Sequence, residues 1–543
     1  MPDMNDLPEA VLKKILRNAA ATPAKTLAKW KTKLPLLAVC RAWTDLVIGA
    51  VFDQVYVELF EACPHCDPPM VALFNNNLTL SSNAGLLISR NCTLMARRLK
   101  IELADRTTPY HLLYIAVVIL KLYRVDWMSM NTLTITDPRW ACKHTFNQVT
   151  TEETSTPEVA LAVSYFVENM RNIVEINLVY PFIGFVGEHF VATLVSAYGR
   201  QLQVLRARNP NSFPISILSR NIQVLELDLD LLATPVLPII CGKHLKVLKL
   251  DNVPRNFAWH NFRYDMNVRP IVFLQLTILH LAFKHADKAL TERELQDKVA
   301  SGAYNWDKLE FPSLRELEIR NCTPDCNLLY TDHSFPELNR VYLSGSIDGI
   351  CYCMRLKLSW VRDLHVSIYQ DTLGDTAEIY RATNHFFSDI FIGRTATLII
   401  TEKLFVLDPE QMRWINLTQL LVDTVNHATV CRAIGRLPNL CGLTIEYLEF
   451  DSLNMDGFST DASLFVSVDP MLAWGEKLAT LTIRDFHEKC SLAVYVGCIQ
   501  ALISHAGALC KLVVLKSARQ PIAMFINSYK DCYPHLARIQ LLD

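Results

Sequence analysis

The sequence predicts an α/β chain: a short N-terminal helical module of residues 1–60, a linking region with weak early repeats at 61–170, and an irregular solenoid over 171–543. In that solenoid, parallel strands would line the concave face, with helices and loops outside. Three observations lead there. An apolar triplet recurs through most of the chain at one fixed spacing. Hydrophobic residues make up 51% and charged residues 20% of 543 residues, enough apolar side chains for a large continuous core. The first sixty residues follow a different, helical pattern. Length alone would have suggested three or four separate domains, and the repeat replaces that estimate.

The recurring unit is apolar, two residues, apolar, one residue, apolar. It reads cleanly at Leu314-Leu317-Ile319 and again at Ile173-Ile176-Leu178, Ile222-Leu225-Leu227, Leu245-Leu248-Leu250 and Leu276-Leu279-Leu281. It continues at Leu338-Val341-Leu343, Val361-Leu364-Val366, Leu417-Leu420-Val422 and Leu440-Leu443-Ile445. Leu478-Leu481-Ile483, Leu509-Leu512-Val514 and Leu536-Ile539-Leu541 complete the clear copies. Weaker ones begin at Leu202 and Thr395, and two doubtful ones surround Leu99-Ile101 and Leu133-Ile135. Thirteen intervals between 173 and 536 average about 28 residues, within the span of leucine-rich repeats. Alternate residues of a strand face opposite ways, so the last two residues of each triplet bury while the residue between them faces out, and the first wedges beneath the preceding turn. A return segment makes each strand parallel to the last. Pro157 to Asn172, His189 to Arg200 and Ala428 to Leu437 are candidate return helices. Only Cys322 clearly supplies the usual Asn or Cys at the ninth repeat position.

The residue inside each triplet marks the expected binding face: Asn177, Arg206, Glu226, Lys249, His280, Glu318, Tyr342 and His365, then Ile399, Leu421, Thr444, Thr482 and Val513. The first eight are mostly charged or polar. The last five carry no charge and three are aliphatic, which makes Ile399, Leu421, Thr444, Thr482 and Val513 the candidate substrate patch, since exposed apolar surface usually means contact.

Ahead of the repeats, LPEAVLKKIL places Val11, Leu12, Ile15 and Leu16 along one helical stripe, with Pro8 at a tolerated first-turn position. LPLLAVCRAW is more apolar than one buried face needs. These two segments resemble the F-box, here ahead of leucine-rich repeats, and LPLLAVCRAW with the following VYVEL resembles a group of fungal F-box proteins. The resemblance implies that the module docks on a Skp-family adaptor, and through it a cullin of a ubiquitin ligase, while the repeats hold a protein substrate. Carried over, Leu7, Pro8, Val11, Leu12, Ile15, Leu16, Leu36, Leu37, Val39 and Trp43 are the core and adaptor-contact candidates. One departure stands out. The stretch between Leu16 and Leu36 is longer than the usual F-box, which would distort the middle helix and weaken adaptor binding, while Lys25, Lys29, Lys31 and Lys33 around Trp30 read as a solvated helix face. A scaffold whose module engages no ligase is the competing reading.

No enzymatic constellation emerges, and no cofactor or metal is expected. Lys+Arg 53 against Asp+Glu 55 leaves −2, no field for nucleic acid or anionic lipid. Seventeen glycines in 543 residues are few for phosphate-cradling loops, and no Walker A, G-x-G-x-x-G or G-x-S-x-G motif occurs. Cys63 and Cys66 have half of a zinc spacing without a second pair. Cys322 with Cys326 and Cys351 with Cys353 lack His partners. His487-Glu488 lacks the second His of H-E-x-x-H, and Asp228 with Asp230 reads as ordinary exposed acid beside a strand. The start has no basic region followed by an apolar run, and no stretch approaches about 18 apolar residues. A reducing cytoplasmic or nuclear setting, with 16 cysteines mostly as buried thiols, is the expectation.

Overall fold

The computed structural model describes residues 51–61, 78–103, 124–136, 156–179, 184–208, 221–228, 244–253, 271–283, 309–322, 335–345, 363–368, 396–400, 417–426, 437–449, 477–486 and 492–542, with a few isolated positions. The F-box-like residues Leu7 to Trp43 lie outside these, as do Cys63, Cys66, Asp230, Cys326, Cys351, Cys353, His487, Glu488 and the proposed helix from Ala428. The chain divides into two compact units: Met1–Phe257 with Asn261–Leu276, and Ala258–His260 with Thr277–Asp543.

In the first unit, β1 (Gln54–Glu61), β3 (Arg98–Leu103), β4 (Thr132–Thr136), β5 (Glu175–Leu178), β6 (Val204–Arg208), β7 (Val224–Asp228) and β8 (Val247–Val253) form one parallel ladder in chain order. Strand β2 (Leu78–Ser82) flanks β1 antiparallel. The doubtful early copies are therefore strands of the same ladder, with Leu99, Ile101, Leu133 and Ile135 all fully buried. Alternation explains each strand. In β7 Leu225 and Leu227 are buried while Glu226 is half-exposed, and β8 repeats this with Leu248 and Leu250 about Lys249. One carbonyl at each strand entry accepts two successive amides of the next repeat. Asp53 O takes the N–H groups of Arg97 and Arg98, Arg97 O those of Asn131 and Thr132, and Gln203 O those of Gln223 and Val224. This satisfies the backbone at each turn into the sheet and fixes the register.

Two return helices follow where the sequence placed them: α1 (Thr156–Asn169) and α2 (Gly184–Tyr198). Phe166, Phe190, Leu194 and Val195 are buried. The buried Tyr198 hydroxyl donates to Met170 O at 3.1 Å, tying α2 to the end of α1, and burial pushes its pKa up.

The second unit carries the parallel ladder β9 (Ile278–Phe283), β10 (Glu316–Cys322), β11 (Arg340–Gly345), β12 (Asp363–Ile368), β13 (Ala396–Ile400), β14 (Leu417–Asn426), β15 (Gly442–Glu449), β16 (Thr480–Phe486), β17 (Lys511–Val513) and β18 (Gln540–Leu542). The repeat is longer than its triplet. A turn precedes several copies: the N–H of Leu314 donates to Phe311 O, that of Leu338 to Phe335 O and that of Leu440 to Leu437 O. Phe311, Phe335 and Leu437 are buried, and Pro312, Pro336 and Pro438 occupy the second turn position, whose φ proline pre-sets. The Phe311 and Phe335 rings stack at 6.0 Å, linking successive repeats. Helices α3 (Leu492–His505) and α4 (Lys516–Tyr529) return the chain near its end. Ala518, Ile522 and Ile526 form the buried i, i+4, i+8 stripe of α4. No helix among the described residues is long and apolar enough to cross a membrane.

The ninth repeat position is handled by an unexpected neighbour. Asn252 (φ 53°) and Asn321 (φ 58°), both at the eighth position, adopt the left-handed conformation that asparagine tolerates. Asn321 Nδ2 donates 2.6 Å to Phe283 O of the preceding repeat. Asn252 Nδ2 donates 2.6 Å to Asp228 Oδ1, which gives that acid a structural partner. Cys322 is fully buried and its thiol donates to Ile319 O at 3.5 Å.

Candidate functional site

The site follows from the strand face opposite the buried leucines, and its character differs between the two units. In the first unit Tyr56, Lys100, Thr134, Asn177, Arg206, Glu226 and Lys249 pair in one register row. Its polar groups satisfy each other. Asn177 Nδ2 donates to Thr134 Oγ1 at 3.2 Å. The Arg206 guanidinium donates to Glu175 Oε1 (2.7 Å), Asn177 Oδ1 (2.9 Å) and Glu226 Oε2 (2.9 Å), and Lys249 Nζ stands 3.3 Å from Glu226 Oε1. Lys100 pairs with Glu102. Cations already held by carboxylates offer little to a phosphate or an acidic ligand.

In the second unit the row opens with His280, Glu318, Tyr342 and His365. The His280 ring lies between two carboxylates, Nε2 at 2.9 Å from Glu316 Oε1 and Nδ1 at 3.2 Å from Glu318 Oε2. Tyr342 stacks on His365 with centroids 4.6 Å apart and planes within 14°. Burial lowers the His365 pKa; Asp363 opposes this and Arg340 reinforces it.

From here the structure departs from the sequence reading. His365 pairs with Thr397, whereas Ile399 pairs with Ser367. The row of His365 runs on through Thr397, Gln419, Gly442, Thr480, Lys511 and Gln540. The five patch residues form the next row, Ser367, Ile399, Leu421, Thr444, Thr482, Val513 and Leu542. The five thus share one row, two residues further along the strands than the row of His280 in which the sequence reading sets them. Leu421, Thr444, Thr482 and Val513 are each half-buried, and Leu542 is exposed. An irregularity accompanies the displacement: Ala396 faces Leu417 but Thr397 faces Gln419, leaving Thr418 as an extra residue in β14.

Sequence reasoning missed Glu316, which lies at a strand entry between the first two apolar residues of its triplet. The only signal was its place two residues before Glu318, on the same face of β10. The described cysteines carry thiols: Cys92, Cys322 and Cys498 are buried, Cys441 and Cys510 half-buried and Cys532 exposed. Burial raises the Cys92 pKa, which makes it an unreactive core thiol.

No protein-family model and no curated protein matches the chain. Its likeness to F-box and leucine-rich-repeat proteins therefore rests on the residues quoted above.

Proposed function

We propose that the chain is the substrate-recognition subunit of a Skp–cullin–F-box type ubiquitin ligase, working in the cytoplasm or nucleus without a catalytic residue or cofactor of its own. The observation that carries the recognition half is the uncharged row Ile399, Leu421, Thr444, Thr482 and Val513 on five successive parallel strands. Such a row removes apolar surface from water on contact and desolvates no ion, which suits a protein segment laid across the strands. The adaptor half rests on the F-box resemblance of Leu7, Pro8, Val11, Leu12, Ile15, Leu16, Leu36, Leu37, Val39 and Trp43. The mechanism is proximity: a target held beside a ubiquitin-conjugating enzyme reacts as if at high local concentration.

Two variants test the halves separately. Leu7→Ala with Pro8→Ala abolishes a stoichiometric complex with a Skp-family adaptor while leaving target capture intact. Leu421→Asp with Val513→Asp abolishes target capture, read by pull-down with the proteasome blocked, while the adaptor still co-purifies. Unchanged capture by the second variant refutes the patch. Lack of association between purified chain and adaptor at micromolar concentration favours the second reading, a protein-binding scaffold outside any ligase, which the lengthened Lys25 to Lys33 segment supports.

A further inference from the structure

We infer that His280, Glu316 and Glu318 form a binding site for one divalent transition-metal ion, with zinc as the best-matched candidate. The argument begins with proton counting. A neutral imidazole carries one N–H and one lone pair, yet both ring nitrogens of His280 face carboxylate oxygens, at 2.9 Å and 3.2 Å. One of these contacts sets a lone pair against an anion unless a cation lies between them. A second proton on the ring or a metal ion supplies that cation.

The geometry favours the metal at Nε2. Arg320 Nε donates to Glu318 Oε1, which leaves Oε2 to accept the Nδ1 proton. That hydrogen bond fixes the tautomer and aims the Nε2 lone pair at Glu316, the carboxylate–histidine–metal arrangement found at metal centres. Ligands of a tetrahedral zinc ion stand about 3.3 Å apart, so admitting one between Nε2 and Glu316 Oε1 opens the present 2.9 Å contact by only about 0.4 Å. Glu318 stays behind the ring as the carboxylate that orients His280, so His280 Nε2 and Glu316 supply the protein ligands and water fills the remaining positions. An imidazole nitrogen and a carboxylate oxygen completed by water suit zinc and its neighbours more than calcium or magnesium. The support is rigid. His280 pairs directly with Glu318 across two parallel strands, and the alternating Leu279, Leu281, Leu317 and Ile319 are buried beneath them. All three side chains are less than a quarter exposed.

Calorimetric titration of the full chain with Zn²⁺, repeated with Co²⁺ by absorption, tests the site. The expected result is one equivalent that disappears in His280→Gln and weakens at least about tenfold in Glu316→Gln and Glu318→Gln, with far-UV circular dichroism unchanged. That equivalent shows cobalt d–d bands without thiolate charge-transfer absorption, which separates it from binding at cysteines. Loss in Glu316→Gln alone already supports the site should His280→Gln fail to fold. Unaltered Zn²⁺ affinity and stoichiometry in all three variants, or thiolate absorption on the equivalent in question, overturns the inference and leaves the three side chains as a hydrogen-bonded cluster.

Discussion

Replacing Gly345 with alanine is the sharpest probe of the ladder of the second unit. A methyl carbon at this position would come within 2.7 Å of Cys322 Cβ and closer still to the Cys322 backbone N and O. Ordinary contact begins near 3.4 Å and the nearest obstructing atom, Cys322 O, would lie at 2.3 Å, so β10 and β11 must separate by about 1 Å where Cys322 pairs with Gly345. The obstructing atoms are backbone, and Cys322 is fully buried, so no flexible side chain can give way. Overpacking of this kind costs about 1–3 kcal/mol. Alanine relieves about 0.5–1 kcal/mol of the conformational entropy that glycine loses in a strand. Taking the upper figure for a backbone clash, the net loss is about 2 kcal/mol. Gly507→Ala supplies the control, because nothing lies within 4 Å of that site. Urea unfolding followed by far-UV circular dichroism should show an earlier transition for Gly345→Ala and an unshifted one for Gly507→Ala. Coincident curves for the two variants would refute the close approach of β10 and β11.

Asn321→Ala should destabilise the same region by about 1–3 kcal/mol, since it removes the bond to Phe283 O and leaves a β-carbon at positive φ without the asparagine advantage; Asn321→Gly, which keeps the backbone freedom, should recover part of this in the same urea assay. Burial raises the pKa of Tyr56, Tyr198 and Tyr495, and raises that of Tyr165 to about 12. Folded values above the unfolded 10 mean that this stability is present below pH 10 and is lost as pH climbs toward the folded values. Tyr495→Phe, which removes the hydroxyl bonded to Ile483 O, should lower neutral-pH stability by about 1 kcal/mol and flatten the alkaline loss in a pH-dependent melt. His365 has the opposite sense: its folded pKa lies below the ordinary 6.5, so stability falls as pH drops through 6.5. His365→Gln should reduce the acid sensitivity of unfolding, and an unchanged acid limb would remove burial as its cause.

How far the sequence could be read depended on how many frames its apolar spacing allows. In β8 the pattern fits one frame only, because the polar Lys246 and Asn252 stand two residues outside Leu248 and Leu250, and those two leucines are buried about a half-exposed Lys249. Even the doubtful copies at Leu99 and Leu133 are strands, since strict alternation outweighed their poor match to the longer motif. Ala396, Leu398 and Ile400 are apolar at three successive alternate positions, so two frames fit equally well. Backbone pairing, not side-chain pattern, sets Ser367 beside Ile399. A slip by two keeps the same face inward, which is why the patch residues stay together although their row differs from that of His365. The FPSL, FPEL and LPNL turns were visible as sequence but unweighted, because the triplet begins at their last residue. His280 and Glu316 are 36 residues apart, and no linear metal spacing joins ligands that meet only by strand pairing.

The contrast between charged and uncharged rows gives the binding proposal its physical content. Contact with a partner strips water from whatever it covers, and a charge so covered must find a replacement for its hydration. Covering the Arg206 cluster would desolvate Glu175 and Glu226 as well, whose interactions are already made within the protein. Covering Leu421 and Val513 releases water from aliphatic carbon, and the hydroxyls of Thr444 and Thr482 between them each keep a donor and an acceptor for a peptide backbone. Beyond this row, Arg484 and Glu446 pair at 3.1 Å while Arg484 remains mostly exposed. A rim pair of that kind steers association and selects among partners more than it adds affinity. Affinity should therefore reside in the uncharged row. Reversing the rim, with Arg484→Glu, should slow association and alter its salt dependence while leaving dissociation nearly unchanged.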